Sequence, residues 1–166
     1  MKLPIPIPFL PMEAKLTVDI PVGAQWGYEP KWDGFRCIAF RSGDEVELQS
    51  KAGQSLTRYF PELVAGIQKV SAKTFVLDGE IIVPVNGRLS FDDLLQRIHP
   101  AASRVEMLSR KTPAQLVAFD LLVDAKGSSL IARQSRNAAR VWRTFIPNTL
   151  RRTLSSSFRV PPATSR

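Results

Sequence analysis

Residues 29–36, with the sequence Glu-Pro-Lys-Trp-Asp-Gly-Phe-Arg, bring together side chains suited to phosphate chemistry. If the segment is extended, Lys31 and Asp33 point to the same side, because side chains alternate along a strand. Gly34 then allows a sharp turn or a close backbone approach to a ligand, and Arg36 returns a second cation to the face of Lys31. An amine, a carboxylate and a guanidinium would share one pocket.

The chemistry open to such a lysine is nucleophilic attack on phosphorus. Desolvation or a nearby cation must first favour the uncharged amine. Its attack on the α-phosphorus of a nucleoside triphosphate would form a phosphoramidate and release pyrophosphate. The protein would align the groups and neutralise the triphosphate, partly through a divalent metal. Considered alone, the segment fits a surface ion pair beside a turn better than a catalytic site, because short motifs often arise by chance.

Carboxylates also interrupt two strongly apolar strand patterns. Residues 74–83 contain Asp78 and Glu80 on one strand face, and Asp120 is the only charge inside a later apolar run. A polar side chain in an apolar strand costs free energy unless it is paired or has a function. From the sequence alone, Phe119 beside it is most simply an ordinary core phenylalanine.

Hydrophobic periodicity and turn residues predict the elements that position these side chains. Prolines alternate with apolar residues at the N-terminus, which favours an extended arm over a helix. Ser90 is a helix N-cap ahead of acidic residues, and Ser50 and Lys51 lie in a turn ahead of an amphipathic helix. The predicted elements are an arm over residues 1–12, strands over 26–30, 35–40, 46–50, 74–83, 116–123 and 157–160, a helix containing Leu63, Ile67 and Val70, and a helix over 90–98.

The four segments around Lys31, Lys51, Glu80 and Phe119 resemble, in the same order, motifs of the covalent nucleotidyltransferases. This superfamily comprises ATP-dependent DNA ligases, RNA ligases and mRNA capping enzymes. The resemblance implies an α+β fold, namely an ATP-grasp-like adenylation domain with antiparallel sheets flanked by helices. Four motifs in the family's order are a stronger signal than any one of them.

Three further segments narrow the resemblance. Residues 10–15, Glu29 and residues 96–100 are similar to short, repair-associated bacterial ATP-dependent DNA ligases of the ligase C-like type. The nucleotide implied by this resemblance is ATP.

The resemblance also implies a role for each principal motif residue. Lys31 would become adenylated, and Glu29, Arg36, Glu80 and Phe119 would bind the nucleotide. Phe119 would stack on the adenine, an interaction worth about 1–3 kcal/mol per base. Glu80 would approach the ribose and the phosphate-bound metal, Mg²⁺ or Mn²⁺.

Four more residues have supporting roles by the same resemblance. Asp33 accompanies the nucleophile, and Asp78 could hold metal-bound water or orient Lys31. Ser50 and Lys51 stand where the family has a Ser-Arg pair. A lysine keeps the positive charge but lacks the planar fork that grips phosphate in two places, so a phosphate or DNA contact there is weakened.

The net charge of +8 is concentrated at the C-terminal end. Residues 125–166 contain Lys126 and eight arginines but no acidic residue. Such a block can bind a polyanion or form a solvated face. The arginines at helical spacing, which would form one basic stripe and a weak DNA contact, are Arg133, Arg136, Arg140 and Arg143.

The later family motifs and the oligonucleotide-binding domain have no counterpart after residue 120. The expected organisation is therefore an N-terminal part of an adenylation domain over residues 1–124, continued by a basic helix and tail over residues 125–166. A chain of 166 residues suffices for one domain. It would be C-terminally incomplete, and it would need a missing C-terminal region or a second chain.

The sequence thus predicts an adenylation module of an ATP-dependent DNA ligase that acts on nicked double-stranded DNA in repair, recombination or replication. Two alternatives remain: an RNA ligase or capping-type nucleotidyltransferase, and an inactive remnant that binds nucleic acid through its arginine-rich end. The single cysteine, Cys37, and the lack of a membrane-length apolar run predict a cytoplasmic protein without a membrane partner.

Overall fold

A central β-sheet organises the computed structural model, which describes residues 1–13, 18–19, 22–23, 31–132 and 158–159. In chain order the strands are β1 Phe35–Ser42, β2 Glu45–Ser50, β3 Thr74–Ile82, β4 Pro84–Val85, β5 Arg88–Leu89, β6 Gln115–Val123 and β7 Phe158–Arg159. Five of them form one sheet in the order β2-β1-β3-β6-β7, and β4 pairs with β5 in a separate hairpin. The four longer strands pair antiparallel, whereas β7 runs parallel to β6.

The helices pack on one side of this sheet, so the predicted α+β architecture is confirmed. They are the 3₁₀ turn Thr57–Tyr59, α1 Pro61–Gln68, α2 Phe91–Leu95 and α3 Ala102–Lys111. Ser90 caps α2 as predicted, because its hydroxyl accepts from the Asp93 N–H at 3.2 Å. None of the helices in the described ranges has the length and apolar character needed to cross a membrane.

The strand predictions hold better than the helix predictions. The strands predicted over 35–40, 46–50, 74–83 and 116–123 match β1, β2, β3 and β6 to within two residues at each end. In contrast, the helix predicted over 90–98 ends at Leu95, and α3 was not predicted. The strand predicted over 26–30 lies outside the described residues.

Strand alternation gives the sheet two different faces. Cys37, Ala39 and Leu77 belong to the larger core cluster, which includes Leu63 and Ile67 of α1. The intervening residues on the same strands form the second cluster on the opposite face, namely Ile38, Phe40 and Val76. One face is therefore covered by helices.

The N-terminal arm covers part of the other face. Ile5 is buried in the second cluster, and Leu3 and Phe9 pack against it. Gln49 of β2 fixes the arm through two hydrogen bonds, since its Oε1 accepts from Phe9 N at 2.8 Å and its Nε2 donates to Phe9 O at 2.5 Å. The extended arm predicted for residues 1–12 is confirmed, and it leaves the remaining part of this face to the charged residues described below.

Two buried arginines hold α1 in place. Arg41 of β1 donates to the carbonyl oxygens of Val70 at 2.6 Å and Gln68 at 2.9 Å, and so satisfies the C-terminal end of the helix. Arg97 forms a two-point ion pair with Glu62 at 2.6 and 2.8 Å. Both guanidinium groups are inaccessible to solvent, so the stability of the fold depends on the groups that accept their hydrogen bonds.

Candidate active site

Gly34 sets the start of β1 against β3. A β-carbon at this position would lie 2.2 Å from the Ile81 carbonyl oxygen and 2.9 Å from Cγ of Glu80, so only glycine fits. The Gly34 N–H also donates to the Glu80 carboxylate. The close backbone approach predicted for Gly34 exists, and its partner in this structure is β3. As a result, the segment that carries Lys31 lies beside Glu80.

Gly79 likewise allows a close approach of two backbones, here between β3 and β6. A β-carbon there would lie 2.6 Å from the Val117 carbonyl oxygen and 3.0 Å from Cα of Ala118. From the residues alone, Asp78-Gly79 is typical of a hairpin turn, yet both residues lie inside the continuous strand β3. The glycine allows the two strands to approach at this point.

Arg36 and Asp78 form the central ion pair of the site. Arg36 Nε donates to Asp78 Oδ1 at 2.5 Å, and a terminal guanidinium nitrogen donates to Oδ2 at 2.7 Å. Burial raises the pKa of Asp78, and the hydrogen bonds from Arg36 oppose that rise. The sequence offered two roles for Asp78, holding metal-bound water or orienting Lys31. In the structure both of its oxygens accept hydrogen bonds from Arg36, and the two roles stay predictions.

A β-bulge on β6 brings Phe119 and Asp120 to this ion pair. Asp78 pairs with Asp120 and Gly79 pairs with Ala118, so Phe119 is the extra residue. The Phe119 ring centroid lies 4.5 Å from Cζ of Arg36, a cation–π contact. Asp120 interacts electrostatically with both Arg36 and Asp78. Two consecutive residues therefore contribute to one site.

Asp120 was not predicted as a site residue, although the sequence contains a signal for it. Strict alternation from Leu116 and Ala118 would place Asp120 on the helix-covered core face, where an unpaired carboxylate is costly. A bulge between Ala118 and Asp120 removes that conflict. Burial raises the pKa of Asp120, and the Leu121 N–H, which donates to it at 2.8 Å, opposes the rise.

Lys31 lies at the edge of this cluster. Its side chain is exposed, and its charge is the weakest of the named influences that favour the ionised Glu80 carboxylate. Burial is the main cause of a raised pKa at Glu80, while Arg36 is the largest opposing influence. Lys31 and Asp33 both precede β1, so the strand alternation assumed for these two side chains does not extend to them. The link between Lys31 and the site is its electrostatic influence on Glu80.

Ser50 and Lys51 form a separate cluster at the same end of the sheet. Ser50 pairs with Cys37 in the β1–β2 ladder, next to Arg36. The Ser50 hydroxyl accepts from the Gln54 N–H at 3.0 Å and so closes the turn. Lys51 forms an ion pair with Glu13 of the arm at 3.1 Å.

The carboxylates of the site fit a metal only together with a nucleotide. Over the described ranges, no group of three His, Cys, Asp or Glu side chains is arranged to hold a metal ion. Mg²⁺ is commonly held by one or two carboxylates plus substrate phosphates. Glu80 suits that role, because Arg36 occupies Asp78 and leaves Glu80 with the Gly34 N–H.

Five predicted site residues fall outside the described residues, and their roles stay predictions. They are Glu29, Arg133, Arg136, Arg140 and Arg143.

Comparisons with known proteins show which family the chain is similar to. DNA ligase C of Mycobacterium tuberculosis is 55% identical over 122 residues, which are 74% of this chain and 34% of that protein. DNA ligase C1 of Mycolicibacterium smegmatis is 51% identical over 127 residues, covering 74% of this chain and 36% of that protein. The chain therefore spans about a third of the length of these relatives.

The fold comparison leads to the same group. A mycobacterial DNA ligase D solved with ATP and MES superposes with a TM-score of 0.59 at 26% identity, over 80% of this chain and 38% of that one. The family model for the ATP-dependent DNA ligase domain matches residues 11–161. The chain belongs to the ATP-dependent DNA ligase domain family.

Proposed function

We propose that this chain is part of the adenylation module of an ATP-dependent DNA ligase, in which Nζ of Lys31 accepts AMP from ATP. The observation that supports this most strongly is the convergence of motif side chains on one face of three neighbouring strands. The charge of Lys31 favours the ionised Glu80 carboxylate, and Arg36 joins Asp78 to Phe119. Residues 1–124 would form the N-terminal part of that domain, and residues 125–166 would continue it.

In the proposed step, the uncharged Lys31 amine attacks the α-phosphorus of ATP. A nitrogen–phosphorus bond forms, the bond from the α-phosphorus to the bridging oxygen breaks, and pyrophosphate leaves. The guanidinium of Arg36 covers one face of Phe119, so the adenine would stack on the opposite face. Glu80 would hold Mg²⁺ or Mn²⁺, which when bound supplies positive charge to the triphosphate.

The partner would be nicked double-stranded DNA, because the relatives are DNA ligases. AMP would pass from Lys31 to a 5′-phosphate, and a 3′-hydroxyl would then displace it. Only the first step is assigned to the described residues, because the chain spans about a third of the relatives. The later steps would use a further region or a second chain.

Intact-mass spectrometry after incubation with ATP and Mg²⁺ tests this proposal. The wild-type chain should gain one AMP, and peptide mapping should place it on Lys31. Lys31→Ala should gain none, because the nucleophile is absent. Lys73→Ala is the matched control, since Lys73 is an exposed lysine at the opposite end of the β1–β2 hairpin, paired with Asp44. An adduct that persists in Lys31→Ala, or no adduct in the wild type, contradicts the assignment.

Substituting GTP for ATP separates the DNA ligase from a capping-type enzyme. A DNA ligase module should be labelled by ATP and not by GTP. Ligation assays with nicked DNA and nicked RNA, supplied with the further region or second chain that the later steps would use, then distinguish the two ligase classes.

The concentration of positive charge in residues 125–166 favours a second candidate function, which is binding of nucleic acid without catalysis. Under that function, removal of residues 125–166 abolishes DNA binding while Lys31→Ala leaves it unchanged and no adenylate forms.

A further inference from the structure

The turn that follows β2 presents Lys51 to solvent. The turn is closed by Gly53 N, which donates to Ser50 O at 2.9 Å, and by Ser50 N, which donates to Gln54 O at 2.8 Å. Gly53 has a φ of +83°, the left-handed conformation that favours glycine. Lys51 and Ala52 are exposed at the tip of this turn, and in the part of the chain that is described, their N–H groups donate to no acceptor. The tip therefore offers one cation and two amide donors.

The cation at this tip already has an anionic partner from the arm. Nζ of Lys51 lies 3.1 Å from Oε2 of Glu13, with the two side chains 58% and 68% exposed. The backbones on both sides of the contact are anchored within a few residues, since Gln49 and Phe9 exchange two hydrogen bonds. These bonds hold the arm four residues before Glu13 and the strand two residues before Lys51, so the fold keeps the two side chains near each other.

The position of the tip relative to the site suggests what Glu13 replaces. Ser50 lies opposite Cys37, immediately after Arg36, so the tip is at the same end of the sheet as the candidate active site. Since β2 is the edge strand of the sheet, a DNA strand whose 5′-phosphate reached the site across this edge would pass the tip. A carboxylate and a phosphate diester both present anionic oxygens to a lysine ammonium.

We propose that Glu13 occupies, in the free protein, the position of a DNA backbone phosphate on Lys51, and that nicked DNA displaces it. The inference rests on the proposed DNA substrate. Glu13 then lowers DNA affinity, since its ion pair with Lys51 must be broken before the phosphate contact forms. The described chain thus carries its own competitor for this contact.

Affinity measurements with single and double variants test the competition. Glu13→Gln should bind a nicked duplex about two- to fivefold more tightly at 0.1 M salt, the range expected for an exposed ion pair. Lys51→Ala should bind more weakly than the wild type. In the Lys51→Ala background, Glu13→Gln should have no effect, because the carboxylate has no cation left to occupy.

The chain provides a matched control for the removal of one negative charge. Asp44 pairs with Lys73 at the same 3.1 Å, and both side chains are exposed. They lie at the opposite end of the β1–β2 hairpin, and fields from exposed charges are largely screened beyond about 10 Å at 0.1 M salt. Asp44→Asn should therefore leave the affinity for nicked DNA unchanged.

Zero-length crosslinking observes the displacement directly. A carbodiimide activates the Glu13 carboxyl, and the Lys51 amine then forms an amide with loss of the activating group as a urea. Nicked DNA should reduce the yield of the Glu13–Lys51 crosslink and leave the Asp44–Lys73 crosslink unchanged. ATP should reduce neither, which separates a DNA phosphate from a nucleotide phosphate as the source of the competing anion.

Three outcomes would overturn the inference. The first is that Glu13→Gln raises the affinity equally in the wild-type and Lys51→Ala backgrounds. The second is that DNA does not change the yield of the Glu13–Lys51 crosslink. The third is that neither the wild type nor Glu13→Gln binds DNA. The proposed function is tested separately by adenylation of Lys31, which does not involve either residue.

Discussion

The guanidinium of Arg36 makes two kinds of contact at once. Its edge forms the two-point ion pair with Asp78, and its plane lies over the Phe119 ring. Only an arginine can do both, because a lysine ammonium has neither a fork nor a plane. The positions of the acid on β3 and of the aromatic ring on β6 are therefore linked through one side chain of β1.

Asp120 should lower the stability of the folded protein at neutral pH. Burial raises its pKa above the reference value of 3.8, so the folded state holds the proton more tightly than the unfolded state. The contribution of this group to stability is greatest below about pH 4 and is lost as pH rises through the folded pKa. Asp120→Asn removes the titration and keeps an oxygen for the Leu121 N–H.

The expected result is that Asp120→Asn is more stable than the wild type at pH 7, with a difference that shrinks towards pH 4. Urea unfolding between pH 4 and pH 8 measures both. If the variant is less stable at pH 7, the attraction between Asp120 and Arg36 outweighs the cost of burial.

At the scale of elements, the sequence predicted the strands but not their irregularities. The apolar runs around Leu77 and Leu121 identify β3 and β6, because alternation and length are local properties. The bulge at Phe119 depends on how β6 pairs with β3. The sequence of β6 alone indicates it only through Asp120, whose charge strict alternation would place on the core face. The contact between Arg36 and Asp78 likewise depends on the β1–β3 register.

The helices show more clearly how far local sequence predicts an element. The predicted helix over 90–98 ends at Leu95 because Arg97 turns inward to Glu62, a partner 35 residues earlier. Helix α3 exposes most of its residues and buries only Val105, Leu108 and Ser109. With so few apolar residues, this segment lacks the apolar content by which α1 was recognised.

The close approach of β3 and β6 at Gly79 should determine where the bulge places Phe119 in the site. Gly79→Ala places a β-carbon 2.6 Å from the Val117 carbonyl oxygen, and a backbone atom cannot move aside as a side chain can. We expect a loss of about 1–3 kcal/mol in the free energy of unfolding and slower adenylation, since Phe119 shifts with β6.

Gly43→Asn is the control for Gly79→Ala. Gly43 has a φ of +64° and no neighbour within 4 Å of a built β-carbon, and asparagine tolerates this conformation. The control should stay within about 1 kcal/mol of the wild type. Equal behaviour of the two variants in urea unfolding would show that the strand approach does not matter.

At the scale of the whole molecule, one buried ion pair joins three parts of the chain. Arg97 follows α2, Glu62 lies in α1, and Glu62 Oε1 also accepts from the Ala114 N–H at 2.9 Å, just before β6. The segment over residues 96–100 was recognised only by its resemblance to bacterial ligases. In the structure this segment helps to hold β6, the strand that carries Phe119, because its Arg97 pairs with Glu62.

Removing one member of this pair should therefore destabilise the whole protein. Glu62→Ala leaves the Arg97 guanidinium, which is 0% exposed, without its counter-charge, and breaking a buried ion pair costs about 3–5 kcal/mol. Glu106→Ala removes an acid from an exposed pair with Arg110 and should cost less than about 1 kcal/mol. Urea unfolding at pH 7 measures both. Glu62 also holds the start of β6, so any Glu62→Ala protein that remains folded should be adenylated more slowly than the Glu106→Ala protein. Equal stabilities of the two variants would mean that α1 and β6 are held together by apolar packing alone.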